Sequence, residues 1–185
     1  MSGGAAAGSP GPRIEFAPAD DVPIRYMDRT REYYEALGFA PYRWAHFTDA
    51  PFTPLPMPLA RARVALITTA APFQPGAGDQ GPRAPYNASA KFYQVYSAQV
   101  DSKPDLRISH VGYDRANTVP EDLDAYVPLR RLQAAAAAGR IGALTPRFHG
   151  APTNRSHRVT METDAPELLR RCREDGVDAA VLVPS

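Results

Sequence analysis

The chain contains one cysteine, Cys172, which excludes an internal disulfide and any metal knot built from several thiolates. It has no apolar run approaching the ~18–20 residues that span a bilayer. Its opening, MSGGAAAGSPGPR, has no charged start followed by an apolar stretch, so a secretory signal is not expected and a cytoplasmic location is. Charge of one sign is not in excess. Twenty-one basic against twenty acidic residues leave a net charge of +1, which offers neither nucleic acid nor an anionic membrane as a partner. The two common phosphate loops are missing as well: no GxxxxGK[ST] occurs, and no GxGxxG leads from a strand into a helix. There is no internal repeat.

What remains is ordinary for a globular chain. At 185 residues, 44% hydrophobic and 22% charged, it can bury a real core as one domain. Proline is the unusual component, with twenty residues, many of them between positions 9 and 85. Proline removes a backbone donor and fixes φ, so this half should be largely irregular. Three segments are expected: a disordered Gly/Ala/Pro tail over 1–22, a helix with a Pro- and aromatic-rich extension over 23–62, and an α/β domain over 63–185.

The pattern predicts a helix near Met27–Leu37 stopped by Gly38, with Tyr26, Tyr33, Tyr34 and Leu37 roughly on one face. Residues 41–62 have neither helical nor strand period and suit wrapping a surface or a partner. RVALITT, residues 63–69, reads as a parallel strand buried on both faces. A long Gly/Pro loop follows, then short strands at Phe92–Tyr96 and Leu106–Ser109. A helix is expected over Val127–Ala138 with Gly139 as its stop, then a strand at Ile141–Leu144. A second helix, Ala165–Glu174, should open on Asp164 as N-cap with Pro166 in its first turn, leading to a buried strand at Val177–Val183. Strands alternating with helices predict an open, mostly parallel, Rossmann-like sheet with flanking helices, incomplete at its C-terminus.

The densest polar cluster is Ser109-His110-Val111-Gly112-Tyr113-Asp114, followed by Asp122 and Asp124. It follows a predicted strand, and open parallel sheets bind ligands beyond the carboxyl ends of their strands. Histidine and carboxylates there could orient a substrate or move protons; equally, the aspartates could cap turns and His110 could be structural. His149, in PRFHGAP, is a second candidate in a predicted loop, and His157 further along could pair with it on a metal, although no metal site is expected. Cys172 lies between Arg171 and Arg173, which could lower its pKa, yet a lone helical cysteine is usually a packing residue. Arg130, Arg131, Arg140 and Arg147 read as a solvated face.

Taken in order, VALITT, ISHVGYD, EDLDAYVPLRRL, GRIGALTPRFHG and GVDAAVLVPS resemble the component B selenoprotein subunits of glycine, sarcosine and betaine reductases, and are similar to the selenoprotein subunit of D-proline reductase. The resemblance covers residues 63–185, and the aromatic preface RTREYYEALGFAPYRWAHF is similar too.

The resemblance implies a subunit of a reductase that cleaves a C–N bond in a small amino-acid-like substrate, working with other reductase subunits. It implies catalytic roles for His110, Asp114 and His149, and substrate contacts at Ser109, Tyr113, Asp122 and Asp124. It implies no cofactor within this chain. In the family the last strand leads into a redox-active selenocysteine or cysteine, which is expected immediately after Ser185. The sequence ends at Val183-Pro184-Ser185. A UGA selenocysteine codon read as a stop would produce such an end, so the expectation is a chain that continues. Two other readings are carried: a non-catalytic docking or regulatory subunit, and a metal-assisted lyase using His149 and His157.

Overall fold

The computed structural model describes residues 25–41, 43–74, 76, 91–110, 119–153 and 156–184. The expected tail over 1–22 lies outside the described residues. The chain divides into two compact units between Thr48 and Asp49.

In the first unit, helix α1 (Tyr26–Ala36) forms within a residue of the expected span. It ends before Gly38, whose φ of 78° is the left-handed conformation that glycine adopts freely. Arg25 and Arg31 both pair with Asp28 in the first turns. Tyr26 meets Trp44 edge-on at 5.6 Å, and Tyr34 packs on Phe39. None of the α1 residues is buried, so its aromatic stripe does not form a closed core.

The second unit is a mixed sheet with flanking helices, an α/β arrangement. Strand β1 (Arg63–Thr68) is its centre. One edge of β1 pairs in parallel with β7 (Ala179–Val183) along five residues. Its other edge pairs in parallel first with β5 (Ala143–Leu144) and then with β6 (Arg147–Gly150), which together make one interrupted strand. Beyond β6 lies β3 (Tyr96–Gln99), which runs antiparallel. A separate two-stranded antiparallel ribbon joins β2 (Ala71–Pro72) to β4 (Leu106–Arg107). Successive residues Val64, Ala65 and Leu66 are all buried, so both faces of β1 are covered and its middle is continuously apolar.

Alternation sorts the two faces. Leu66, Phe148 and Ala98 pack with Ile108, Tyr126, Val127 and Leu129, beneath helix α2 (Leu129–Ala137). The opposite face carries Ser97, Arg147 and His149, beneath α4 (Ala165–Glu174). Phe148 is completely buried and sits edge-on to Tyr96 at 6.2 Å. Tyr96 in turn lies on Gly150, where an added Cβ would come within 1.8 Å of the ring.

Several expectations are corrected. The mostly parallel sheet is mixed at its edge, where β3 enters antiparallel. The strand expected at Phe92–Tyr96 begins at Tyr96, since Phe92 turns its ring into a small cluster with Ala71. The strand expected at Ile141–Leu144 is shortened to Ala143–Leu144 and then resumes as β6, so His149 lies inside a strand and not in a loop. Asp164 does not cap a helix: the helix starts earlier, at α3 (His157–Val159), with Ser156 Oγ accepting from the Val159 amide at 3.2 Å. A π-helical turn, Thr160–Asp164, then joins α3 to α4. The physical reason is Pro166, which has no amide for the carbonyl four residues back and whose ring crowds it, so the turn before it widens. His157 is therefore the exposed first residue of a helix and not part of a loop. Finally, β7 is not buried: Val181 is 37% and Leu182 64% exposed, because β7 is an edge strand with nothing among the described residues on its outer side.

Candidate functional site at the strand ends

The parallel strands β1, β6 and β7 all run out at one edge of the sheet, with Thr68 in register with both Gly150 and Val183. Backbone bonds hold these ends level: the Ala151 amide donates to the Thr68 carbonyl at 2.8 Å, and the Thr69 amide to the Val183 carbonyl at 3.2 Å. Side chains fasten the segments that leave the edge. Thr68 Oγ1 donates to the Tyr126 carbonyl at 2.7 Å and accepts from the Ala70 amide at 3.1 Å. Tyr96 Oη donates to the Ala70 carbonyl at 2.8 Å, and burial pushes the Tyr96 phenol upward, so it stays protonated as a donor.

Residues 91–96 approach the same edge, since Tyr96 pairs with Gly150. Lys91 is half-buried there, and its Nζ donates to the Ser109 carbonyl at 2.7 Å. Gln74 Nε2 donates to the Lys91 carbonyl at 2.7 Å. Desolvation lowers the Lys91 pKa from its usual value. A cavity of about 330 Å³ opens beside these groups, lined by Gln74, Lys91, Phe92, Tyr93, Gln94 and Tyr96.

The residues singled out in the sequence fall in different places. Ser109 is buried and holds Lys91 through its carbonyl, with His110 exposed next to it. Tyr113 and Asp114 lie outside the described residues. Asp122 caps the short turn Leu123–Ala125, its Oδ1 accepting from the Asp124 amide at 3.1 Å. Asp124 accepts from Arg130 Nη2 at 2.9 Å and Arg131 Nε at 3.0 Å. It also lines a second cleft, of about 470 Å³, with Val100, Lys103, Leu106 and Leu129. The Val100 amide bonds the Pro146 carbonyl, just before β6 begins, so that cleft opens at the amino ends of the parallel strands, away from Lys91.

His149 lies under α4 with no exposed surface. Its Nδ1 is 2.9 Å from Ser97 Oγ, and its Nε2 is 3.3 Å from Asp175 Oδ2 without the alignment of a good hydrogen bond. Arg171 Nη1 donates to the same Ser97 Oγ at 2.8 Å. The Ser97 hydroxyl is therefore free to donate to Nδ1, which puts the imidazole proton on Nε2, facing Asp175. Arg147 Nε reaches both Asp175 oxygens at 2.9 Å. Burial is the main influence holding His149 below its usual pKa; Asp175 opposes it, and Arg147 and Arg171 reinforce it. The alternating faces of β6 put His149 on the side of the sheet opposite Asp124.

Cys172 is half-buried, and its thiol is pushed up by burial and by Asp175, with Arg147 only partly offsetting them. The flanking arginines do not activate it. Among the described residues no group of three or more His, Cys, Asp or Glu could hold a metal ion, and no helix is long and apolar enough to cross a membrane. Sequence reasoning missed Lys91, Ser97 and Asp175. A usable signal existed for Lys91, which is one of two lysines against nineteen arginines.

The family model for glycine/sarcosine/betaine reductase selenoprotein B (GRDB) matches residues 42–185. No curated protein matches this chain, and no solved structure does either.

Proposed function

Because the chain belongs to the glycine/sarcosine/betaine reductase selenoprotein B family, we propose that it is a subunit of a selenocysteine- or cysteine-dependent reductase that cleaves a C–N bond in a small amino-acid-like substrate. The observation that carries this reading is the match over residues 42–185, which takes in the whole mixed sheet. Glycine, sarcosine, betaine and D-proline are the substrates in view.

In this reading the redox residue belongs directly after Ser185. The course of β7 supports this placement. Its last residue, Val183, is bonded to Thr69 at the edge where β1 and β6 also end. The exposed apolar side chains of Val181 and Leu182 suit coverage by further protein. At that edge a selenolate, largely ionised near neutral pH, attacks the substrate carbon with its electron pair. The C–N bond breaks, and the amine leaves with its pair and takes a proton. His110 and Asp114 handle that proton, Ser109 and Tyr113 contact substrate, and His149 acts from beneath α4 by fixing Ser97 and the β6 end.

The enzyme works as a complex with other reductase subunits. Phe52, 88% exposed, and the proline-rich stretch around it suit docking to such a subunit. The test is depletion of this protein from native extract, with amine release from labelled substrate as the readout. Release that falls on depletion and returns when the purified native protein is added back supports the reading. Release unaffected by depletion contradicts it and leaves the docking or regulatory role.

A further inference from the structure

The cleft at the amino ends of the parallel strands plays no part in the reductase reading, which concerns the other edge of the sheet. Its volume, about 470 Å³, is that of a small-molecule site. Its apolar lining comes from Val100, Leu106, Val127 and Leu129, joined by Leu123, which is exposed.

One lining residue is held in a costly conformation. The turn after β3 is closed by Ser102, whose amide and hydroxyl both donate to the Gln99 carbonyl, at 3.1 and 2.7 Å. The next residue, Lys103, has a φ of 47°, the one positive value at a non-glycine residue among the described residues. A long side chain is disfavoured there, whereas glycine or asparagine fits. Lysine kept at such a position, in a residue that lines a cleft, points to a use for its ammonium.

The charges around the cleft suit an anion. Asp124 Oδ2 accepts from both Arg130 Nη2 and Arg131 Nε, at 2.9 and 3.0 Å, so its charge is already matched. Asp101 is exposed, where solvent and salt screen it. Among the described residues, Lys103, Arg130 and Arg131 thus set three cations against the two carboxylates. A carboxylate beside Lys103 gains a charge-assisted hydrogen bond, and the apolar lining takes the rest of the molecule. A zwitterion of a few atoms has no apolar body with which to fill it.

We propose that this cleft is a second binding site, for a monocarboxylate with an aliphatic or aromatic body, and that Lys103 holds the carboxylate. The site is independent of the reductase reading and stands or falls without it.

The test is a titration of the full 185-residue chain with straight-chain carboxylates from butyrate to octanoate, and with the alcohols of matching length. Ligand-observed NMR reads affinity, and the amide shifts of Val100, Leu106 and Val127 read the place of binding. Each added methylene should tighten binding about fourfold until the cleft is full. Each acid should bind about threefold more tightly than its alcohol. Lys103→Asn suits the left-handed backbone, so it should abolish the advantage of the acids while raising the thermal midpoint of the free protein. A lysine with only a structural role would not move the acid-to-alcohol ratio. Leu123→Ala, at an exposed position, should weaken acid and alcohol alike. Absence of binding, shifts confined to other parts of the chain, affinity that does not rise with length, or an acid advantage that persists in Lys103→Asn overturns the proposal.

Discussion

The amide of Thr69 donates to the carbonyl of Val183 at 3.2 Å, which makes this bond the last rung between the central strand and the edge strand β7. Thr69 also leads straight into Ala70, whose carbonyl is held by Tyr96. One short stretch of chain thus connects the exit of β7 to the Lys91 cavity. The positions of both depend on how β1, β3 and β6 pack against one another.

That packing should be most sensitive at Gly150. A Cβ there would meet the ring of Tyr96, its cross-strand partner, at 1.8 Å, so the ring must move. Gly150→Ala is expected to displace Tyr96, break its bond to the Ala70 carbonyl, and cost about 1–3 kcal/mol. Denaturant unfolding measures the loss, and tyrosine fluorescence should report the ring movement.

Phe148 anchors the opposite contact. It is fully buried against Leu66, Ile108 and Val127, so Phe148→Ala removes a large apolar side chain and leaves a cavity. The expected loss is about 3–5 kcal/mol, measured by chemical denaturation.

His149 should make the domain acid-sensitive in a defined window. Its folded pKa is depressed, chiefly by burial, so the unfolded chain binds its proton first as pH falls. Its contribution is therefore fully present above about pH 6.5, the ordinary histidine value, and is lost progressively below it. His149→Asn should flatten the dependence of the unfolding midpoint between about pH 5 and 7. Glu167 titrates elsewhere: Arg170 and Arg171 hold its carboxyl down to about 2, so its contribution is lost only in stronger acid. Opposite behaviour, with stability rising as pH falls through this window, would show that Asp175 outweighs burial at His149.

Cys172 should be a sluggish nucleophile. Burial and Asp175 raise its pKa, so alkylation of the native chain at pH 7 should be slower than that of the unfolded chain and should accelerate only in clearly alkaline solution. Rapid labelling of the folded chain at neutral pH would contradict this environment.

The parts of the fold set by local physics were readable in the sequence. The apolar run at 63–68, the alanine-rich α2 and the Ala165–Glu174 segment each show a strong period or propensity, and each forms where expected. The misses arose from non-local pairing. Whether Phe92 or Tyr96 starts β3 depends on Gly150, more than fifty residues away, and sequence period does not reveal that a glycine will accept a tyrosine ring. The break between β5 and β6 placed His149 in a strand for the same reason: β1 is long enough to pair with both pieces. The exposure of β7 was hidden because an edge strand of apolar side chains reads like a buried one. At the candidate site, Ser109 and His110 were legible as a polar cluster after a strand. Lys91 was not, since its half-buried position comes from contacts with Gln74 and Ser109 that sequence period does not reveal.

The most direct test of the account is the mass and selenium content of the native protein, together with the gene sequence past the codon for Ser185. The account predicts a polypeptide heavier than 20.1 kDa that carries selenocysteine or cysteine immediately after Ser185. A native protein of 20.1 kDa that ends at Ser185, without selenium, would contradict the redox role and leave a docking subunit in its place.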